Sequence, residues 1–255
     1  MSNYVKGVVD KYSLSDTLDY TEKNYVFDPL CNLIDNWAYR NGYTLINKKL
    51  SGSRAKGTAI TLSSDLDIFI SLSSSTTATL SAIYNSLYDY MRSQNIQCRK
   101  QNVSIGVFYN KKNVDLVPGR RQDQYSEDHS LYKYKQDTYT KTNITKHISV
   151  VRNSNRAVEI MATKIWRERH GLDFPSLFLE LAVIEATKYR NYGDYDNNFW
   201  EVLSWLSSNI TTIRIEDPAN TNNIISADLT NTEKYAIANK AKESRQKQNW
   251  NEIIW

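Results

Sequence analysis

Cysteine is scarce in this chain: Cys31 and Cys98 are the two cysteines in 255 residues. They lie far apart, with no CxxC and no zinc-ligand spacing, which excludes a disulfide framework and a zinc ribbon. Both are expected to be reduced structural thiols. Four prolines and eight glycines leave no Pro/Gly-rich linker or low-complexity tract, and favour long regular elements. No apolar run approaches the about 18 residues of a membrane span. The opening "MSNYVKGVVDKYSLSDTLDY" lacks the basic-then-apolar order of a secretory signal. The expectation is a cytoplasmic protein with no membrane partner.

Charge of one sign is also in short supply. Lys and Arg number 32 against 28 Asp and Glu, a formal net charge of +4. That suits an anionic substrate but is weak for a dedicated duplex binder. Tyrosine, in contrast, is abundant at 18 residues; these rings either stack on bases or fill core and surface.

The length allows one large domain or two lobes with a real core. "SLSDTLDYTEKNYVFDPLCNLIDNWAYRNGY" reads as helix, with Pro29 kinking or dividing it and Asn41-Gly42 stopping it. "YTLINKKLSGS" reads as a strand entering a tight turn, "DLDIFISLS" as a strand, and "TTATLSAIYNSLYDYMRSQN" as an amphipathic helix capped by Ser/Thr. "NVSIGVFY" and "NVDLVP" follow as strands joined by the turn "NKKN". Beyond about residue 125 the strand signal fades and helices dominate, ending in a long helix over "TNTEKYAIANKAKESRQKQNWNEIIW". The expected fold class is α+β. Residues 1–125 would form a lobe with a small mixed sheet flanked by helices, including the N-terminal helix. Residues 126–255 would form a helical lobe, with the active site in the cleft between them. The apolar end "NWNEIIW" is expected to pack into the helical lobe.

The chemistry concentrates in "SGSRAKGTAITLSSDLDIFISL". Residues i and i+2 of a strand share a face, so Asp65 and Asp67 project together from an apolar strand. Close carboxylates repel, and a divalent cation relieves the repulsion; hard oxygen ligands favour Mg²⁺. Asp115, between Val114 and Leu116 in "NVDLVPG", is a candidate third carboxylate if its strand neighbours the first. Three carboxylates suffice for two ions ~4 Å apart. Eleven residues separate Gly52-Ser53 from Asp65. Glycine admits close backbone approach to a phosphate, backbone N–H groups and a hydroxyl can cradle its oxygens, and Arg54 and Lys56 add positive charge.

At these residues the chain resembles the DNA polymerase β-like nucleotidyltransferases, whose signature is Gly-Ser, a spacer, Asp-x-Asp, and a third carboxylate on a later strand. "SGSRAKGTAI", "SSDLDIFISL" and "VDLVPG" look most like the branch of oligoadenylate synthetases, cGAS-like and bacterial CD-NTase enzymes, and archaeal CCA-adding enzymes. "RAVEIMATKIWRERHGLDFPSLFLELAVIEA" and "DPANTNNIISADLTNTEKYAIANKA" extend the likeness over about residues 45–255. The resemblance implies that Gly52 and Ser53 hold the triphosphate, that Asp65, Asp67 and Asp115 ligate two Mg²⁺ (or Mn²⁺), and that Asp115 helps activate the acceptor hydroxyl. It implies that Lys164 and Ser176 contact the donor phosphates. Read from the sequence alone, Lys164 is equally a lysine whose stem packs while its amine reaches out, and Ser176 after Pro175 is equally a helix cap.

Other residues carry weaker readings. His147 either touches a nucleotide or is a partly buried structural histidine. Tyr132, Tyr134 and Tyr139 alternate with lysines, as in a base-stacking surface or a solvated loop. Arg120 and Arg121 contact phosphates or end a strand in solvent. The implied reaction is metal-dependent, template-independent transfer from a nucleoside triphosphate with release of pyrophosphate. The first expectation is a CD-NTase-like synthase of cyclic or short linear oligonucleotide signals in antiphage defence, with an effector or regulatory protein as partner. The alternatives are a terminal nucleotidyltransferase acting on RNA such as tRNA, and an inactive nucleotide-binding partner subunit. The modest charge and the absence of an appended RNA-binding segment weigh against RNA. The chain is short for a CD-NTase, and the missing zinc element weighs against a double-stranded DNA sensor.

Overall fold

In a computed structural model, residues 3–63 and 65–255 of the chain are described. Helix α1 (Tyr4–Tyr12) buries Val5 and Val9, one turn apart. The Asp196 carboxylate accepts the backbone N–H of Val5 at 2.9 Å and of Tyr4 at 3.3 Å, satisfying two donors that a helix start leaves open. The expected helix from residue 13 onward begins later. A short α2 (Tyr20–Glu22) passes through a π-helical turn (Lys23–Phe27) into α3 (Asp28–Arg40). Pro29 falls in the first turn of α3 without breaking the helical run, and the Tyr25 carbonyl four residues before it, which has no proline N–H to accept, accepts from Asn110 Nδ2 instead. Gly42, at φ +66°, ends the helix.

Next come β1 (Leu45–Leu50), a short α4 (Gly52–Lys56), β2 (Leu66–Leu72), α5 (Leu80–Ser93), β3 (Gln97–Lys100), β4 (Ile105–Tyr109) and β5 (Lys112–Arg121). Thr79 caps α5 by accepting the Ala82 N–H. The turn between β4 and β5 is tighter than "NKKN". Asn110 and Lys111 take φ of 45° and 64° as a two-residue hairpin loop, and Lys112 and Asn113 already belong to β5. Strands continue past residue 125: β6 (His129–Lys133) pairs with the end of β5, and β7 (Thr138–Thr142) with β6. Lys133 and Lys141 sit among their few apolar residues, which hid them in the sequence. The remaining elements are α6 (Ile144–Asn153), α7 (Ala157–Arg169), α8 (Ser176–Ala186), α9 (Tyr195–Asn209), a hairpin of β8 (Glu216–Asp217) and β9 (Asn220–Ile224), and α10 (Asn231–Ser244). The last helix is shorter than expected, stopping before Gln246 and Gln248.

The described strands β1 to β7 form one mixed sheet in the order β1-β2-β5-β4-β3, with β6 and β7 off the far end of β5. The β2–β5 pair is parallel, and α5 lies in the crossover between them. Ile68, Ile70 and Leu72 of β2 join Leu116 of β5, Ile34 and Trp37 of α3, and Leu87 and Met91 of α5 in one core. The alternate residues of β2 and β5 therefore face away from these helices, and this is the face that carries Asp67 and Asp115.

Contacts divide the chain into a sheet-bearing unit, residues 16–55 and 65–146, and a helical unit, residues 3–15, 56–63 and 147–255. The division thus runs differently from 1–125 and 126–255: α1 lies in the helical unit, and β6 and β7 extend the sheet unit. In the helical unit, Trp166, Phe178, Phe199 and Leu203 centre the core, and Ile253 and Ile254 are buried in it. The apolar end is packed in part as expected: the two isoleucines are inside, and Trp255 is 41% exposed. Among the described residues no helix is long and apolar enough to cross a membrane.

Candidate active site

The parallel register pairs Asp67 of β2 directly with Asp115 of β5. Because both strands present the same face there, the two carboxylates stand side by side on adjacent strands. The row continues across the sheet through Gly106 of β4, opposite Asp115, to Arg99 of β3, opposite Gly106. Asp65 immediately precedes β2, two residues from Asp67.

Gly52 lies against this row. The Ser51 N–H donates to the Asp67 carbonyl at 2.9 Å, so the chain leaving β1 stays beside β2. Gly52 then turns at φ +58°, and a Cβ there would fall 1.8 Å from Asp67 Oδ2. Glycine is required twice, for the left-handed backbone and for the space taken by the carboxylate. The expected tight turn is the first residue of α4, and Ser53 follows, half-buried. The basic residues of this helix are engaged. Arg54 is buried and ion-paired with Glu22, whose other oxygen receives Lys112 at 3.3 Å. Lys56 pairs with Glu180 at 2.7 Å. Both were expected to add charge for phosphates; carboxylates now neutralise much of it.

Asp115 has the most telling electrostatics of the row. Burial raises its pKa, and the neighbouring Asp65 charge raises it further. The Arg99 guanidinium and hydrogen bonds from Gln101 and Ser104 oppose the rise without cancelling it. Ser104 Oγ also donates to Gln101 Oε1 at 2.5 Å, tying the two donors together. Gly106 makes room for this arrangement, since a Cβ on it would meet Arg99 Nε and Gln101 Nε2 at 2.8 Å each. Arg99, Gln101 and Ser104 were missed in the sequence. The available signal was an isolated glycine inside a strand, which marks close approach of other groups.

The donor set fits a hard divalent cation in kind: carboxylate oxygens on one face, with like-charge repulsion that a cation would relieve. It is not drawn together as a finished cage. Among the described residues, no three His, Cys, Asp or Glu side chains converge as a metal-holding group.

Lys164 and Ser176 belong to the helical unit and have separate environments. Lys164 is 2% exposed. Its amine donates to Glu180 Oε1 at 2.7 Å, Thr58 Oγ1 at 2.9 Å and the Thr58 carbonyl at 3.3 Å. Burial alone would raise Glu180, yet the Lys164 and Lys56 ammoniums outweigh it and hold Glu180 at about 2. Burial lowers Lys164, Glu180 opposes the fall, and the neighbouring Lys56 and Arg167 charges add to it. Ser176 is the exposed first residue of α8, after Pro175 at the cap position, and its hydroxyl accepts from Arg167 Nη1 at 3.2 Å.

Most of the weaker candidates have partners within the chain. His147 Nε2 meets Asp217 Oδ1 at 2.6 Å in a buried pair. Tyr134 stacks on Tyr84, and Tyr132 donates to Asp137, while Tyr139 is exposed. Arg120 donates to the Thr76 and Ala78 carbonyls, and Arg121 pairs with Glu127.

No protein-family model and no curated protein sequence matches the chain. Solved structures do match its fold. CdnC of E. coli MS115-1, solved with ATP, superposes with a TM-score of 0.76 at 19% identity, covering 95% of this chain and 89% of that one. The CdnE cyclic dinucleotide synthase of Elizabethkingia meningoseptica, solved with GTP and Apcpp, gives 0.68 at 13% identity, over 95% and 98%. The Cid1 poly(U) polymerase, solved with MgATP, gives 0.67 at 11% identity, over 97% and 94%. The chain therefore shares the fold of the CD-NTases CdnC, CdnE and CdnG and of Cid1, at low sequence identity.

Proposed function

We propose that this protein is a metal-dependent, template-independent nucleotidyltransferase that joins nucleoside triphosphates into cyclic or short linear oligonucleotides. The observation that carries the reading is the pairing of Asp67 with Asp115 across parallel strands, with the Gly52 backbone against the Asp67 carboxylate. The fold likeness to CdnC with ATP and to a cyclic dinucleotide synthase supports it. The resemblance of the motifs extends it to a signalling role in antiphage defence, with an effector protein reading the product.

Asp65, Asp67 and Asp115 would hold two Mg²⁺, or Mn²⁺ in their place. Such ions supply charge neutralisation at the triphosphate and lower the pKa of an attacking hydroxyl. The chain's own part is positioning. Gly52 and Ser53 would hold the triphosphate tail. A ribose hydroxyl of the acceptor attacks the α-phosphorus, the bond to the β-phosphate oxygen breaks, and pyrophosphate leaves. Asp115 would also help to activate the acceptor hydroxyl, the role that the motif likeness implies for the third carboxylate, which stands beside Asp67 in the register. Lys164 and Ser176 would contact donor phosphates; for Lys164 this requires exchanging its contact with Glu180.

A second reading, terminal transfer onto RNA, draws on the likeness to the Cid1 poly(U) polymerase over 97% of the chain. One experiment separates the two. Purified protein is incubated with each labelled triphosphate and Mg²⁺ or Mn²⁺, with and without RNA, and products are weighed by mass spectrometry. New oligonucleotides without RNA are expected. Label only on added RNA would favour the second reading, and no pyrophosphate under any condition would leave an inactive nucleotide-binding subunit. Asp65→Asn with Asp67→Asn should abolish product with the fold intact; activity that survives this change removes the metal assignment.

A further inference from the structure

Beside Asp115 the exposed sheet face opens into a recess of about 260 Å³, lined by Gln97 and Arg99 of β3, Gly106 and Phe108 of β4, and Asn113 and Asp115 of β5. The register explains why these side chains meet. Gln97, Phe108 and Asn113 are cross-strand neighbours in one row, and Arg99, Gly106 and Asp115 in the next row of the same face. Gly106 lets the Arg99 and Gln101 side chains lie low across the sheet at the Asp115 end of the recess. Phe108 is 48% exposed, an uncommon place for a phenylalanine ring in the middle of a three-strand surface. Gln97 and Asn113, also exposed, bring an amide each to its two sides.

We propose that this recess is a nucleobase subsite, holding the base of the acceptor nucleotide with its ribose turned toward Asp115. The inference rests on the nucleotidyltransferase reading. Phe108 offers a flat apolar face for stacking, which every base can use. The amides of Gln97 and Asn113 each present a donor beside an acceptor, the pattern that pairs with the N6/N7 edge of adenine. Arg99 is the cation among the lining residues, its charge is felt at Asp115, and it can accompany the nucleotide's phosphate. The volume suits a base rather than a whole triphosphate, lying just below the usual range of about 300–1,000 Å³ for ligand pockets.

The test separates base binding from chemistry. Wild-type protein in metal-free buffer is titrated calorimetrically with AMP, GMP, CMP and UMP up to millimolar concentration. Binding is expected, tightest for AMP. Phe108→Ala should weaken it at least about fivefold, the lower end of base–aromatic stacking. Phe108→Tyr should restore it, and Asn113→Ala should reduce the preference for AMP. Both positions are exposed, so the fold should persist, and circular dichroism checks this. In turnover assays Phe108→Ala should raise the KM of the acceptor while leaving that of the donor unchanged. No monophosphate binding to the wild type, or the same affinity in Phe108→Ala and Asn113→Ala, overturns the subsite. Absence of transfer activity in a wild type that still binds AMP through Phe108 would count against the nucleotidyltransferase reading and leave the base site standing.

Discussion

Lys164 and Glu180 meet at 2.7 Å inside the helical unit, and Lys56 grips the other Glu180 oxygen at the same distance. All three side chains are largely withdrawn from water, so each charge depends on the others. The lysine that the motif likeness marks for phosphate contact is, in this structure, the partner of a buried carboxylate.

Removing that carboxylate leaves two buried lysines without an anion. Glu180→Gln should cost about 3–5 kcal/mol of stability in urea unfolding. Lys164→Met should cost less, because Lys56 and Thr58 still satisfy Glu180. The pH dependence has a definite sign. Glu180 is held near 2 when folded, against about 4.3 unfolded. Its contribution is present above the unfolded value and is lost as the pH falls through the folded one. This acid-side loss should be missing in Glu180→Gln. A variant as stable as wild type at pH 7 would show that the cluster carries no net stabilisation.

Two glycines with similar backbones separate strain from function. Gly52 and Gly57 both have positive φ, at 58° and 71°, but a Cβ on Gly57 would meet nothing within 4 Å. Gly57→Ala should cost only the left-handed penalty, about 1–2 kcal/mol, and keep nucleotidyl transfer. Gly52→Ala pays the same penalty and also displaces the Asp67 carboxylate. It should lower transfer activity at least about a hundredfold, a loss typical of misplacing a reacting group by about 1 Å. Equal activity in the two variants would detach Gly52 from the site.

Much of this site was legible because strands announce themselves by alternation. Asp65-Leu66-Asp67 and Val114-Asp115-Leu116 each break an apolar run on one face, and the parallel register of β2 and β5 brings Asp67 and Asp115 together. The supporting groups were not legible. Arg99, Gln101 and Ser104 reach Asp115 only because β3, β4 and β5 pair in a particular register, and register is a long-range property. The partners of Arg54 and Lys56 lie 32 and 124 residues away in sequence, so local charge could not reveal their neutralisation. Strands β6 and β7 were overlooked because their exposed faces carry Lys and Tyr, which read equally well as loop.

The electrostatics of Asp115 give a titration that can be followed directly. Burial raises its pKa, Asp65 adds to the rise, and Arg99 opposes it. By carboxyl ¹³C NMR in metal-free buffer, Asp115 should titrate above the ordinary aspartate value; Asp65→Asn should bring it down and Arg99→Met should push it higher. The linkage follows from the sign. A carboxyl raised in the folded state contributes stability that is fully present below its unfolded pKa and is lost as pH rises through the folded one. Without metal, Asp115→Asn should therefore be more stable than wild type at pH 8 and no more stable at pH 3, read from thermal unfolding. Mg²⁺ should narrow the difference at pH 8 by binding the ionised form. An Asp115 that titrates at the ordinary value, insensitive to Asp65→Asn, would mean that the two carboxylates do not share a site.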